Sequence, residues 1–143
     1  MAGGVSACSH SRIRYFVVGS SGNRERNICL MNDCLFCKIT AREIPSTAVY
    51  EDEWVYAFRD IAPQAPFHAV IVPKKHIAST DEIDSDNSVY VAKIFEAAAK
   101  IARENGLDKG YRIVNNCGEE GGQTVGHLHF HMLGGRMLSW PPG

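Results

Sequence analysis

Residues 127–132 read His-Leu-His-Phe-His-Met, an alternation of imidazole and apolar side chains held between Gly121-Gly122 and Gly134-Gly135. No other stretch of the chain limits its own conformation so tightly. In a β-strand successive side chains point to opposite faces, so His127, His129 and His131 share one face and Leu128, Phe130 and Met132 the other. A helix would scatter both sets around its axis, and strict alternation with an aromatic favours the strand. The glycine pairs let the backbone turn, or approach a ligand closely, at either end. Three imidazoles packed together without partners would leave donors and acceptors unsatisfied, so the row asks for a chemical purpose. It suits a metal site, or a nucleophilic imidazole with a neighbour as hydrogen-bond or acid partner.

The rest of the chain supplies a frame for this strand. "STAVYEDEWVYAFRDIAPQAP" predicts two short strands, Ala48–Glu51 and Val55–Arg59, turning at Glu51-Asp52-Glu53. "HAVIVP" is short, β-branched and stopped by Pro73, a third strand, and Pro63 and Pro66 keep the piece before it from being helix. The acidic, polar run from Asp81 to Asn87 offers N-cap candidates and negative charge for a helix start. Beyond it Val91, Ile94, Phe95, Ala98, Ile101 and Ala102 form one apolar helical stripe, with Lys100 and Arg103 in the last turn and Gly106 as the C′ residue. "YRIVNN" predicts a fourth strand and the histidine row a fifth. Strands in series around one helix, without regular strand–helix alternation, predict an α+β fold: an antiparallel sheet with helices packed on one face.

A chain of 143 residues, 45% hydrophobic and 22% charged, suits one globular domain. It has no run of eighteen apolar residues, the length of a membrane span. A net charge of −1 gives no sign of a nucleic-acid surface. Neither a membrane nor a nucleic acid is expected as partner. Residues 1–30 differ, with four arginines against Glu25 giving a local charge of +3, and Tyr15–Val18 is too short for a secretory h-region. An organellar transit peptide, a disordered extension and an upstream extension of the reading frame all fit, and Met31 would be a natural start. We expect residues 1–32 to be a disordered or non-native extension and 33–143 the functional domain. Five cysteines, an odd number, argue against a secreted disulfide framework and for a reducing compartment. The expected location is the cytoplasm, or an organelle if the extension is a transit peptide.

Three further features carry chemistry. Cys34 and Cys37 stand at C-x-x-C spacing, half of a tetrahedral zinc shell that two histidines would complete; a buried unconnected pair and a redox dithiol are the competing readings. His76, after "IVPKK", could reach back to a metal, and His68 could hydrogen-bond into the histidine row, but spacing alone assigns neither. The loop "GGQTVG" would set free backbone N–H groups, the Gln123 amide and the Thr124 hydroxyl beside the imidazoles, a collection suited to phosphate oxygens. Asp60, ending the second strand, could accept hydrogen bonds from ribose hydroxyls.

"HLHFHML" resembles the histidine triad motif, and "CLFCKITAREIPS", "AFRDIAPQAP", "HAVIVPKKHI", "YRIVNN", "GGQTVGHLHFHMLGGR" and "WPPG" extend the likeness from about Asp33 to Gly143. Together they resemble the nucleotide-binding histidine triad branch, the HINT proteins. The resemblance implies the HIT fold: a five-stranded antiparallel sheet with one long and one short helix, continued across a homodimer. It implies that His129 attacks the α-phosphorus of a purine nucleoside phosphoramidate or an aminoacyl-adenylate, forming a nucleotidyl-histidine that water opens to AMP. His131 would contact the phosphate and assist proton traffic, with His127 and His68 supporting the row. Phe58, Asp60 and Ile61 match the family's base and ribose positions. Asn116, Gly122, Gln123 and Thr124, with His129 and His131, match the phosphate side. Thr124 keeps a hydroxyl where some relatives carry Ser, and Gly126 opens the pocket where others carry a bulkier residue. In zinc-binding relatives the matching ligands would be Cys34, Cys37, His76 and His127, a structural site, with no cofactor needed for catalysis. The alternatives are a nucleotide-binding scaffold with incidental turnover, a dinucleoside polyphosphate hydrolase, and a zinc enzyme using all three histidines as ligands.

Overall fold

The computed structural model describes residues 33–143, so the expectations for residues 1–32, with Cys8, His10 and Cys29, lie outside the described residues. A short helix α1 (Leu35–Thr40) leads into strands β1 (Ala48–Glu51), β2 (Val55–Arg59) and β3 (Phe67–Pro73). A 3-10 turn (Thr80–Glu82), the long helix α2 (Ser88–Glu104), β4 (Tyr111–Asn115) and β5 (Phe130–Gly134) follow. The five strands make one antiparallel sheet in the order β1-β2-β3-β5-β4. β1 and β2 have the limits read from the sequence, and the central β3 is buried at every residue, which its unbroken apolar run anticipates.

Alternate residues divide the sheet's two faces. Val55, Ala57, Phe67, Ala69, Ile71, Phe130 and Met132 pack under Ile94, Ala97, Ala98, Ile101 and Ala102 of α2. Ile94 and Ile101 are fully buried, each worth roughly 1.5–3 kcal/mol of burial. Tyr56, Phe58, Val70 and Val72 point the other way and are covered by Phe36 and Ile39 of α1. The helices therefore lie on opposite faces, which corrects the expectation of one helical face. Strands β2 and β3 are apolar on both sides and need two covers. Phe95 also departs from the predicted stripe: it is 48% exposed, at the margin, with its ring edge-on to Phe130 at 5.8 Å.

Both helices end in the same way. Gly106 (φ 66°) sends its N–H to the Arg103 carbonyl while Leu107 N–H reaches Ala102, closing α2 at the residue the sequence marks. Arg42 (φ 64°) does the same for α1, with Glu43 N–H donating to the Lys38 carbonyl. A non-glycine residue here is held by its side chain: the guanidinium donates to Tyr56 Oη at 3.1 Å and pairs with Glu51. That anchor fastens α1 over the sheet. At the start of α2, Asn87 makes no side-chain cap; its amide instead donates to the Glu82 carbonyl and accepts from Asp84 N–H.

The histidine row keeps its alternation but is not all strand. Pairing begins at Phe130, so only His131 is on β5, between Val70 of β3 and Val114 of β4. Ahead of it, Leu128 N–H donates to the Ile77 carbonyl at 2.6 Å and Asn115 Nδ2 donates to the His129 carbonyl at 2.8 Å. These bonds replace the ladder and keep the approach to β5 extended, with Leu128 still in the α2-side core.

Candidate active site and metal centre

The imidazoles lie on the face that α1 covers, and they do not converge on one point. His127 turns toward the C-x-x-C segment: its Nδ1 is 3.4 Å from Cys34 Sγ and 3.5 Å from Cys37 Sγ. His76 Nδ1 lies 3.3 Å from Cys37 Sγ, and one donor atom from each of the four residues falls within 4.8 Å of the others. The His127 Nε2–H donates to the Pro73 carbonyl at 2.9 Å, which leaves the Nδ1 lone pair facing the thiols. Burial holds His127 neutral, pushing its pKa down to about 4 against the Pro73 bond, and burial likewise lowers His76. Burial and the neighbouring Cys34 push the Cys37 thiol up to about 12. Two thiols and two neutral imidazoles with a carbonyl fixing the tautomer fit a zinc ion, whose charge favours the thiolates.

His129 is 3% exposed and held from three sides. Its Nδ1 is 2.7 Å from the His127 carbonyl, and a carbonyl only accepts, so Nδ1 carries the hydrogen and Nε2 the lone pair. The Phe36 ring stands edge-on to it at 5.1 Å and the His131 ring at 5.2 Å. Asn115 bonds its backbone, a role the sequence reading missed by attending to the neighbouring Asn116. Phe36 was missed too, though it sits inside the C-x-x-C segment. An apolar residue at that place carries no mark of what it will touch.

A second chain of bonds runs through His68 and His131. The Gln64 N–H donates to His68 Nδ1 at 3.1 Å, so His68 carries its hydrogen on Nε2. That hydrogen faces His131 Nδ1 at 2.9 Å, with Asp60 Oδ2 at 3.4 Å as a second acceptor. As acceptor at Nδ1, His131 carries its own hydrogen on Nε2. His68 on β3 and His131 on β5 are diagonal cross-strand neighbours, since His68 pairs with Leu133. Burial lowers both histidines below the ordinary imidazole pKa; Asp60 opposes this at each, and His129 and His68 add to it at His131.

The predicted nucleotide residues take varied places. Asp60 turns inward, its Oδ1 accepting from Ala62 N–H at 2.8 Å and its Oδ2 lying 3.4–3.7 Å from His68 and His131. Phe58 is buried against Phe36 at 5.6 Å, while Ile61 is wholly exposed. Free N–H groups across "GGQTVG" are not found at Gly122 or Gln123, which donate to the Glu119 and Gly118 carbonyls. The Gln123 amide donates to the Ala78 carbonyl at 2.7 Å and the Val125 carbonyl at 3.0 Å, and accepts from Gly118 N–H at 3.1 Å. Its side chain is spent holding the loop. Gly122, Thr124 and Gly126 line a cleft of about 520 Å³ together with Ser79 and Glu119. A larger cleft of about 770 Å³ lies elsewhere, between Leu107–Arg112 and Gly135–Leu138, and contains no histidine. Asn116 is partly buried.

Comparison with known proteins places the chain in a family. The HIT domain family model matches residues 41–138, more than half of the chain. The chain is 48% identical over 114 residues to a HIT-like protein of Synechococcus elongatus, covering 80% of this chain and 100% of that one. It is 44% identical over 113 residues to a 14 kDa zinc-binding protein of Brassica juncea, covering 78% and 100%. The crystal structure of a HIT family hydrolase from Legionella pneumophila superimposes with a TM-score of 0.76 at 53% identity, over 78% of this chain and 100% of that one. On the domain match, these identities and the shared five-stranded architecture, the chain belongs to the HIT domain family.

Proposed function

We propose that the chain is a hydrolase of the nucleotide-binding HINT branch. It would cleave the P–N bond of adenosine 5′-phosphoramidates and the mixed anhydride of aminoacyl-adenylates, releasing AMP. The observation that carries this reading is the set of tautomers fixed by partners. The His127 carbonyl holds the proton on His129 Nδ1, leaving Nε2 free to attack. The Gln64–His68–His131 chain leaves a hydrogen on His131 Nε2 for donation.

The steps follow from those protons. His129 Nε2 bonds to the α-phosphorus as the P–N bond breaks, the His131 Nε2–H hydrogen-bonds to the phosphoryl oxygens, and the departing amine leaves with a proton drawn from solvent. Water then attacks phosphorus, its proton passing to solvent, and His129 leaves as a neutral imidazole. Both ring nitrogens of His127 point away from this reaction, so its contribution would be the carbonyl that orients His129. Cys34, Cys37, His76 and His127 would hold a structural zinc ion, which supplies positive charge for the thiolates and ties α1 to the segment before β5; the Brassica juncea relative's name supports this. The separate partners of the three triad nitrogens disfavour a zinc enzyme built on the whole row. The functional unit would be residues 33–143, paired as a homodimer through the β4 edge, where Tyr111 (40%), Met137 (91%) and Trp140 (82%) are exposed.

The test is AMP release from adenosine 5′-phosphoramidate by wild type and His129→Ala, with intact mass recorded during turnover. Release by wild type, absent in the variant, with an added nucleotidyl mass supports the reading. A wild type that binds AMP without turnover makes the chain a nucleotide-binding module, and faster cleavage of dinucleoside polyphosphates moves it to a sister branch.

A further inference from the structure

His127 belongs to two constellations at once. Its side chain faces Cys34 and Cys37, while its backbone carbonyl accepts the Nδ1–H of His129 at 2.7 Å. Phe36 bridges the same two groups. It lies between the cysteines on α1, and its ring stands edge-on to His127 at 6.0 Å and His129 at 5.1 Å. One short helix with its N-cap residue thus presents two candidate metal ligands and one wall of the nucleophile's slot.

From this arrangement we infer that the Cys34/Cys37/His76/His127 cluster, when it holds a metal ion, positions the His129 imidazole through the His127 peptide and the Phe36 ring. The inference rests on the reading of His129 as nucleophile. A six-residue helix is too short to hold itself by propensity, so its place depends on what fastens it. The Arg42 contacts secure its C-terminal end. At the N-terminal end the fastening is the Cys34–Cys37 turn, where the metal would join α1 to His127. Without the metal the Phe36 ring can back away. The His127 peptide can shift with the His76-Ile77 segment, since the Leu128 N–H of that peptide donates to the Ile77 carbonyl and His76 is in the cluster. His129 then loses the partner that keeps its hydrogen on Nδ1, and with it the restriction that presents Nε2. Catalytic geometry is sensitive at this scale: a misplacement of about 1 Å can cost on the order of 100-fold.

The experiment uses the full chain labelled with 15N-histidine, prepared metal-free and reloaded with Zn2+, at one fixed pH. Ring nitrogen shifts report the His129 tautomer, and single-turnover intact mass reports the rate of adduct formation. With zinc, His129 is expected as the pure Nδ1–H tautomer. Without it the ring signals should move to a mixture and adduct formation should slow by roughly tenfold or more, with AMP affinity little changed. Phe36→Leu, which keeps all four donors, should bind zinc stoichiometrically and still slow adduct formation. Identical His129 shifts and adduct rates with and without metal overturn the inference, as does failure to bind zinc. If the metal-free chain unfolds, a Phe36→Leu protein that is zinc-loaded and fully as fast as wild type overturns it. If the loaded wild type forms no adduct while its His129 shifts respond to metal, the proposed activity falls and the coupling stands.

Discussion

Gln123 offers a sharp test because its amide is fully used inside the protein. Its two donors go to the Ala78 and Val125 carbonyls and its acceptor takes the Gly118 N–H, so one side chain ties together the start of the loop, its end and the segment after β3. Gln123→Ala removes three hydrogen bonds. At about 0.5–1.5 kcal/mol net each, the simple total is roughly 1.5–4.5 kcal/mol. The cleft is open to water and Val125 still accepts from His127 N–H, which favours the lower half, about 2 kcal/mol. Gln123→Glu should be worse, since a carboxylate oxygen would face two carbonyl oxygens without a hydrogen to share. Urea unfolding measures the loss, and hydrogen exchange at the Gly118 amide should accelerate in step with it. If Gln123→Ala stays within about 0.5 kcal/mol of wild type while phosphate affinity falls, the side chain is a ligand contact and the loop-staple reasoning is refuted.

Three further outcomes are expected. Leu128→Ala, at a position 1% exposed beneath α2, should cost about 3–5 kcal/mol in urea unfolding, and a loss below about 1 kcal/mol would mean that the site collapses around the cavity. Because burial holds the folded pKa of His68 and His131 below the ordinary 6.5, the unfolded chain binds more protons below that pH. Stability should therefore be complete above pH 6.5 and fall as pH drops through the folded values; a urea midpoint that rises between pH 7 and pH 5 contradicts this sign. Gly121→Ala should disrupt the loop, since a Cβ there would overlap the Cys117 carbonyl oxygen, and unchanged Gly118 exchange together with unchanged turnover would refute that steric reading.

Much of the frame was legible because it is local. The limits of β1 and β2, the length of α2 and its stop at Gly106 follow from alternation, helical spacing and a left-handed glycine, all readable within a few residues. The start of β5 was not, because the bonds that replace the ladder come from Ile77 and Asn115, on other parts of the fold. Phe95 fits the helical period but stays 48% exposed, touching the sheet only with its ring edge-on to Phe130. The residue types of the site were equally readable, and their partners were not. An amide at Gln123 looks the same in sequence whether it meets a phosphate or two carbonyls, and Asp60 shows nothing of its turn toward His68. Phe36 gave no sign at all, since its role depends on α1 folding over the opposite face of the sheet.

The alternation of residues 127–132 also divides the consequences of mutation. Changes at Leu128, Phe130 and Met132 are felt mainly by the core under α2, and changes at His129 and His131 mainly by the hydrogen-bonded imidazoles on the opposite face. Two selective pressures can thus act on neighbouring codons with little interference. A lineage could adjust thermal tolerance by exchanging apolar volumes on one side while leaving the imidazoles untouched. It could equally vary Thr124 and Gly126, on the rim of the cleft, to reshape that opening without touching the core. His127 stands outside this partition, because a change there reaches the cysteine cluster and the His129 ring together.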